Sequence, residues 1–218
     1  ANSYAPFSDY IYPFSDLAES ALTGPLVEAW SSFYNVVQQS NNVIDGIQQS
    51  PVDEDTQKLY IAEARFMRGT AYWYLASLWG DVILSTNPKD LVSNPIVNKN
   101  SRNDVYEFAM RDLEYAAKYL PEQPANNGRV TKYSAFGMLS RIYLSYSGLS
   151  DNPNSGNRNQ EYLDLSIKAS EKVINEGPYM LMDDYADLFT IENNNNQESI
   201  FALQWVPNGE YGTNNYLF

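Results

Sequence analysis

Apolar residues recur at helical spacing through five stretches of this sequence. In the first, Leu26, Trp30, Phe33, Val37, Ile44 and Ile47 follow one another at steps of three, four or seven, which places them on one helix face. Pro25 suits its first turn, and Gly46 and Pro51 bracket its end. The second stretch has Ser50 or Asp53 as its cap, Asp53, Glu54 and Asp55 at its positive end, and runs to about Trp79 before Gly80 stops it. Leu59, Phe66 and Trp73 line one side of it, and Ile61, Ala64, Tyr72, Leu75 and Trp79 another. Apolar residues over more than half the circumference predict a helix sandwiched between others. Ala62, Gly69 and Ala76 fall seven apart, a stripe of small residues that admits a close neighbour.

The remaining helices are shorter. One opens at Ser101 with Asp104 three residues on, an acidic variant of the capping box; it buries Val105, Ala109, Leu113, Ala116 and Leu120 and ends at Pro121. After a Gly/Asn/Pro loop from Glu122 to Gly128, Thr131 caps a fourth, with Ala135, Leu139, Ile142 and Tyr146 inward and Gly148 as its stop. A fifth, from about Glu161 to Glu176, buries Leu165, Ala169 and Val173 and ends at Gly177-Pro178. Residues 1–22 read as aromatic-rich and irregular, and residues 80–100 as extended or looped. Beyond the fifth helix come a short turn around Tyr185 to Leu188, a polar Asn193–Asn196 run and a strand from Ser199 to Trp205. The pattern predicts a mainly α fold: tetratricopeptide-like antiparallel helix hairpins with long irregular loops and little β. Ala135 and Ala169 lie thirty-four residues apart, but the loops vary too much for a clean period.

Composition narrows the function. The 218 residues are 44% hydrophobic and 14% aromatic, with 18 Tyr, so the chain has ample material for a core. Tyrosine suits both crowded helix interfaces and wet binding surfaces. A net charge of −13 with no local Lys/Arg cluster argues against nucleic acid and anionic bilayers, and leaves neutral glycans and peptides open. With no Cys and no His, the chain holds no disulfide, thiolate nucleophile, Cys/His zinc site or Ser-His-Asp triad. No apolar run reaches the length of a membrane span. The Asn-rich loop Asp151 to Asn159 fails as a calcium loop, because aligning Gly156 with the EF-hand glycine puts Pro153 and Tyr162 at ligand positions. No metal or cofactor is expected.

Four blocks then resemble one family. Trp30-x3-Tyr34 with Asn41-Asn42-x-Ile44 is the first, and Glu63-Ala64-Arg65-Phe66-x-Arg68-Gly69-x-Ala71-Tyr72, continuing to Trp79-Gly80-Asp81-Val82, is the second. Gly128-Arg129-Val130-Thr131, continuing to Arg141-Ile142-Tyr143-Leu144, is the third. Ala169-x3-Val173-Ile174-x2-Gly177-x-Tyr179-x-Leu181, then Glu198-Ser199-Ile200-Phe201, is the fourth. Together they cover about residues 26–205 and resemble the SusD/RagB proteins, departing at Ile83, where the family has Pro, and at Gly69, where it has Ala. The family's lipidated N-terminal Cys and long C-terminal half have no counterpart, so residues 1–218 read as one SusD/RagB-like helical domain cut from a longer protein.

The resemblance implies a non-catalytic component of a nutrient uptake system at the outer-membrane surface, held by a lipid on a cysteine not present in this chain. Its implied partners are a glycan or oligosaccharide, with a peptide possible, and a SusC-like TonB-dependent transporter. The N-terminal aromatics fall outside any helical period, and the corresponding region of the family faces ligand; Tyr10 and Tyr12 are therefore expected as stacking platforms, against packing onto the first helix. Trp205, Asn208 and Tyr211 form a second candidate patch, against simple packing. Arg65 and Arg68 read as structural residues that pair with acids or carbonyls, and Arg129 likewise. Two alternatives stand beside this reading. One is a protein-binding helical scaffold; the other is a glycoside hydrolase, which needs two carboxylates facing across a cleft, whereas acidic pairs such as Asp183-Asp184 read as turn residues on a solvated face.

Overall fold

The computed structural model describes residues 24–87, 96–124, 126, 128–149 and 156–204. The chain divides into two compact units, Ala1–Ala109 and Met110–Phe218. Among the described residues the helices are α1 (Gly24–Gln48), α2 (Glu54–Trp79), α3 (Arg102–Tyr119), α4 (Lys132–Ser147) and α5 (Gln160–Glu176), followed by short 3-10 turns at Tyr185–Phe189 and Ile191–Asn193. The expected mainly α architecture of antiparallel helix hairpins is what forms among the described residues. None of these helices is long and apolar enough to cross a membrane.

In the first unit α1 and α2 pair antiparallel. Trp30, near the start of α1, meets Trp79 at the end of α2 edge-on at 5.3 Å, while Asn41 meets Arg68 nearer the middle of α2. Of the two candidate caps it is Asp53 that caps α2, its carboxylate accepting the Thr56 N–H at 2.9 Å and the Thr56 hydroxyl at 2.7 Å. Those bonds hold the Asp53 carboxyl below its usual pKa. Gly80 ends the helix at φ +74°, a conformation that costs glycine little, and its N–H bonds to Ala76 O. Phe66, Tyr72 and Leu75 are fully buried, as are Ala62 and Ala76 of the small-residue stripe. Burying one such ring contributes about 1.5–3 kcal/mol. The α1 face is less covered than its pattern suggests: Val37 is buried, whereas Leu26, Trp30, Phe33, Ile44 and Ile47 are half-buried. Phe33 stacks on Tyr74 at 5.3 Å, with part of the ring left at the surface.

After α2 the described chain is extended or looped, and an antiparallel bridge joins Val82 to Asn100. Asp81 accepts the Arg102 N–H at 3.0 Å. Ser101 caps α3: its hydroxyl accepts from Asp104 N at 3.2 Å and donates to the Asp104 carboxylate at 2.6 Å. The predicted stripe of α3 is buried along its whole length, from Val105 to Leu120.

In the second unit α4 and α5 form another antiparallel hairpin. Tyr146 near the end of α4 meets Tyr162 near the start of α5 edge-on at 4.7 Å. Midway, the Ser140 and Ser170 hydroxyls bond at 2.7 Å, and Ser166 donates to Ser140 O at 2.8 Å. Small hydroxyl side chains on the seam let the helices approach while satisfying themselves on backbone. Thr131 and Ser134 complete a reciprocal capping box on α4. α5 starts at Gln160, a residue earlier than its pattern suggests, because Asn159 accepts from Glu161 N and Tyr162 N.

The strand expected from Ser199 to Trp205 is not formed over its described part, residues 199–204. A strand needs a neighbour to complete its ladder. Here Ser199 N bonds to Asn196 O within a turn, and Ile200 O accepts the Ser134 hydroxyl at 2.8 Å. The segment is held by the mouth of α4, not by a sheet.

Candidate functional site

The site residues expected from sequence, Tyr10, Tyr12, Trp205, Asn208 and Tyr211, lie outside the described residues. The chain's approach to the second patch is described, because Gln204 directly precedes Trp205. Gln204 lines a cleft of about 390 Å³ in the Met110–Phe218 unit.

Three separate segments build this cleft. The loop before α4 supplies Gln123, Gly128 and Arg129; the N-terminus of α4 supplies Thr131 and Ser134; the irregular chain after α5 supplies Tyr179, Asn195, Asn196, Gln197 and Gln204. Ser134 serves two ends at once, capping α4 and anchoring Ile200. Tyr179 packs edge-on against Tyr133 at 6.2 Å, and its hydroxyl lies 3.4 Å from that of Thr131. Asn195 and Gln204 exchange amide hydrogen bonds at 2.9 and 2.8 Å. Their pairing requires the glycine at 128: it sits at φ +87°, and a Cβ there would lie 2.5 Å from Gln204 Cγ. At the rim, Lys132 neutralises Glu122 at 3.2 Å.

The result is a pocket of amides around a tyrosine ring, with Glu122, Lys132 and Arg129 as its charged neighbours. The Gln123 amide makes no hydrogen bond among the described residues, and Gln197 donates its side-chain Nε2 to Leu181 O, with the side-chain Oε1 not engaged among them. Amides that both donate and accept, beside an aromatic face, suit a hydroxylated neutral ligand at a wet surface. No motif marks this cleft in the sequence, since its parts lie up to about eighty residues apart; the Gly177-x-Tyr179 element was the available signal.

A second polar constellation, in the Ala1–Ala109 unit, is structural. Arg68 is buried, as expected of a pairing residue, and donates to Asn41 Oδ1 at 2.6 Å. Its guanidinium also lies 5.0 Å over the Phe108 ring. Asn41 Nδ2 donates to Ser85 O at 2.8 Å, and the Tyr72 hydroxyl donates to that carbonyl at 3.1 Å while accepting Ser85 N–H at 2.7 Å. Tyr34 repeats the pattern two residues earlier, donating to Ile83 O at 2.9 Å and accepting Ile83 N–H at 3.0 Å. Burial raises the Tyr34 pKa. Tyr34, Asn41 and Tyr72 thus clasp the backbone leaving α2, with Arg68 fixing Asn41 from the α2 side.

Among the described residues no group of three or more Asp or Glu could hold a metal. Most of the Asp151–Asn159 loop tested for calcium lies outside them.

Comparison with known proteins agrees with this architecture. Residues 14–144 match the profile of the SusD-like family described as starch-binding and associating with the outer membrane. A SusD-like protein of Bacteroides ovatus is 41% identical over 209 residues, 94% of this chain and 38% of the relative. The starch-binding protein SusD of Bacteroides thetaiotaomicron is 29% identical over 167 residues, 72% of this chain and 27% of that protein. A solved complex with xylogluco-oligosaccharide superposes with a TM-score of 0.81 at 39% identity, over 96% of this chain and 40% of the other. The chain therefore spans about two fifths or less of these relatives' length. With helix hairpins, signature blocks and profile in agreement, the chain belongs to the SusD-like family.

Proposed function

We propose that this chain is the helical platform of a cell-surface glycan-binding protein working with a SusC-like TonB-dependent transporter at the outer membrane. The observation that carries the reading is the xylogluco-oligosaccharide complex, alike over nearly all of this chain. The amide-and-tyrosine cleft supports it, because such groups pair with sugar hydroxyls without needing a charged ligand. Tyr10 and Tyr12, with Trp205, Asn208 and Tyr211, are the proposed glycan contacts; Trp205 follows directly on a cleft residue. Anchoring by a lipid on a cysteine outside this chain belongs to the same proposal.

The role proposed is capture without turnover. Asp183 and Asp184, expected as turn residues, are chain neighbours at the Tyr185–Phe189 turn, which Asp184 caps through Ala186 N at 2.9 Å. Calorimetry against a glycan panel that includes xylogluco-oligosaccharide tests the proposal. Tyr10→Ala and Tyr12→Ala should each weaken the best ligand about 2- to 12-fold, the worth of one ring face, with the melting temperature unchanged. Barrel capture without any glycan binding would favour the scaffold alternative. Release of reducing sugar would establish an enzyme and end this reading.

A further inference from the structure

A second concavity of the Met110–Phe218 unit has a different chemistry. It is a groove of about 320 Å³ between the second half of α3, α4 and α5. Its floor is carbon: Ala117 from α3, Phe136 and Leu139 from α4, Leu165 from α5. Lys118 on α3 and Lys168 and Lys172, one turn apart on α5, rim it. The lining holds one carboxylate, Glu114, which accepts the Tyr143 hydroxyl at 2.7 Å.

The placement of charge is the informative part. The chain has 14 basic residues against 27 acidic ones, yet three of the 14 surround one groove. Lys168 is exposed and makes no ion pair or hydrogen bond among the described residues. The Lys118 ammonium lies 4.8 Å over its neighbour Tyr119, and Lys172 holds Glu176 at 2.6 Å in a solvent-exposed pair of low worth. A sugar would meet few hydroxyl-seeking groups on this floor, whereas apolar side chains would bury against it. We infer that this groove docks an acidic amphipathic helix of a partner polypeptide. Leucine-like side chains seat on Phe136 and Leu139, and carboxylates of the flanking face meet the three lysines. The inference stands independently of which glycan the chain binds.

The chain's net charge makes the test sharp, because a net charge of −13 by itself favours a basic peptide over an acidic one. Two labelled helical peptides of about 18 residues, roughly five turns, carry the same leucine face at i, i+3/i+4, i+7 spacing. One has glutamates on its polar face, the other lysines. Fluorescence anisotropy with the whole 218-residue chain should give at least about tenfold tighter binding of the acidic peptide, which the Lys118→Glu/Lys168→Glu variant should reverse. Both lysines are exposed, so the helical circular dichroism and melting temperature of the variant should match the parent. Replacing the leucines by serines should abolish binding. Equal or tighter binding of the basic peptide overturns the inference, as does no binding of either. Full retention by the serine peptide, with displacement by oligogalacturonate, would overturn it in favour of an anionic saccharide.

Discussion

Removing the Asn41 side chain should unlock the clasp on the loop that leaves α2. Asn41 is 2% exposed and Arg68 5%, so water does not readily replace what is lost. Asn41→Ala removes the charge-assisted bond from Arg68 at 2.6 Å, worth about 1.5–3 kcal/mol, and the neutral bond to Ser85 O at 2.8 Å, worth about 0.5–1.5 kcal/mol. Two contacts soften the loss: Ser85 O keeps the Tyr72 hydroxyl, and Arg68 keeps the Phe108 face. The expected destabilisation is therefore about 2–3 kcal/mol. Asn41→Asp separates the two bonds, because it keeps the acceptor for Arg68 and turns the donor facing Ser85 O into a second acceptor. Since the charged bond is the larger, Asp should cost less than Ala. Urea unfolding followed by tryptophan fluorescence suits the measurement, since Trp30, Trp73 and Trp79 of the chain's 4 tryptophans lie in the same unit as the clasp. A loss below about 0.5 kcal/mol for Ala, or an Asp variant less stable than Ala, would refute the assignment of the clasp as a stabilising network.

Two further perturbations probe the second unit. Burial first, then the bond to Glu114, push the Tyr143 hydroxyl well above 10.0. The native state keeps a proton that the unfolded state releases above pH 10, so this contribution is complete below that pH and lost as pH rises. The slope is at most about 1.4 kcal/mol per pH unit. Tyr143→Phe should be less stable at neutral pH but lose less between about pH 10 and 11, read from urea midpoints; Tyr34 acts in the same sense in the parent chain. Gly128→Ala should cost about 1–2 kcal/mol from its positive φ alone, and more because the new Cβ strikes Gln204. Adding Gln204→Ala should recover only the second part, and full recovery in thermal melts would show that the backbone is unstrained.

Much of the fold was legible because helix ends announce themselves locally. Asp53, Ser101 and Thr131 cap as their residue types dictate, and Gly80 stops α2 where the periodicity stops. What the sequence could not show is partnership over distance. The expected strand over Ser199–Trp205 is such a case, because no pattern within that segment names the strand that would pair with it. Likewise Tyr34, Asn41, Arg68 and Tyr72 stood out as block residues, while their convergence on Ile83 and Ser85 depends on the α1–α2 hairpin closing first. The amide cleft was invisible for the same reason: Gln123, Tyr179 and Gln204 belong to segments that only folding brings together.

The residues that make the family recognisable are already engaged by the fold. Arg68, Asn41, Tyr34 and Tyr72 hold a loop; Asp81 holds Arg102 N; Thr131 caps α4; Glu198 holds Met182 N at 2.6 Å. A polar atom satisfied within the fold has less left to offer a sugar hydroxyl, and at the buried members, Asn41, Arg68, Tyr72 and Thr131, displacing it would leave an unpaired group costing about 1–3 kcal/mol. Two chains can therefore share every one of these residues and still bind different ligands. Shared signature transfers the platform, while specificity has to reside on groups the platform leaves available, such as Gln123 in the cleft and the proposed Tyr10, Tyr12, Trp205, Asn208 and Tyr211. Exchanging that second set with the residues of a relative of different preference should move ligand choice at constant melting temperature. Exchanging the first set should do the reverse.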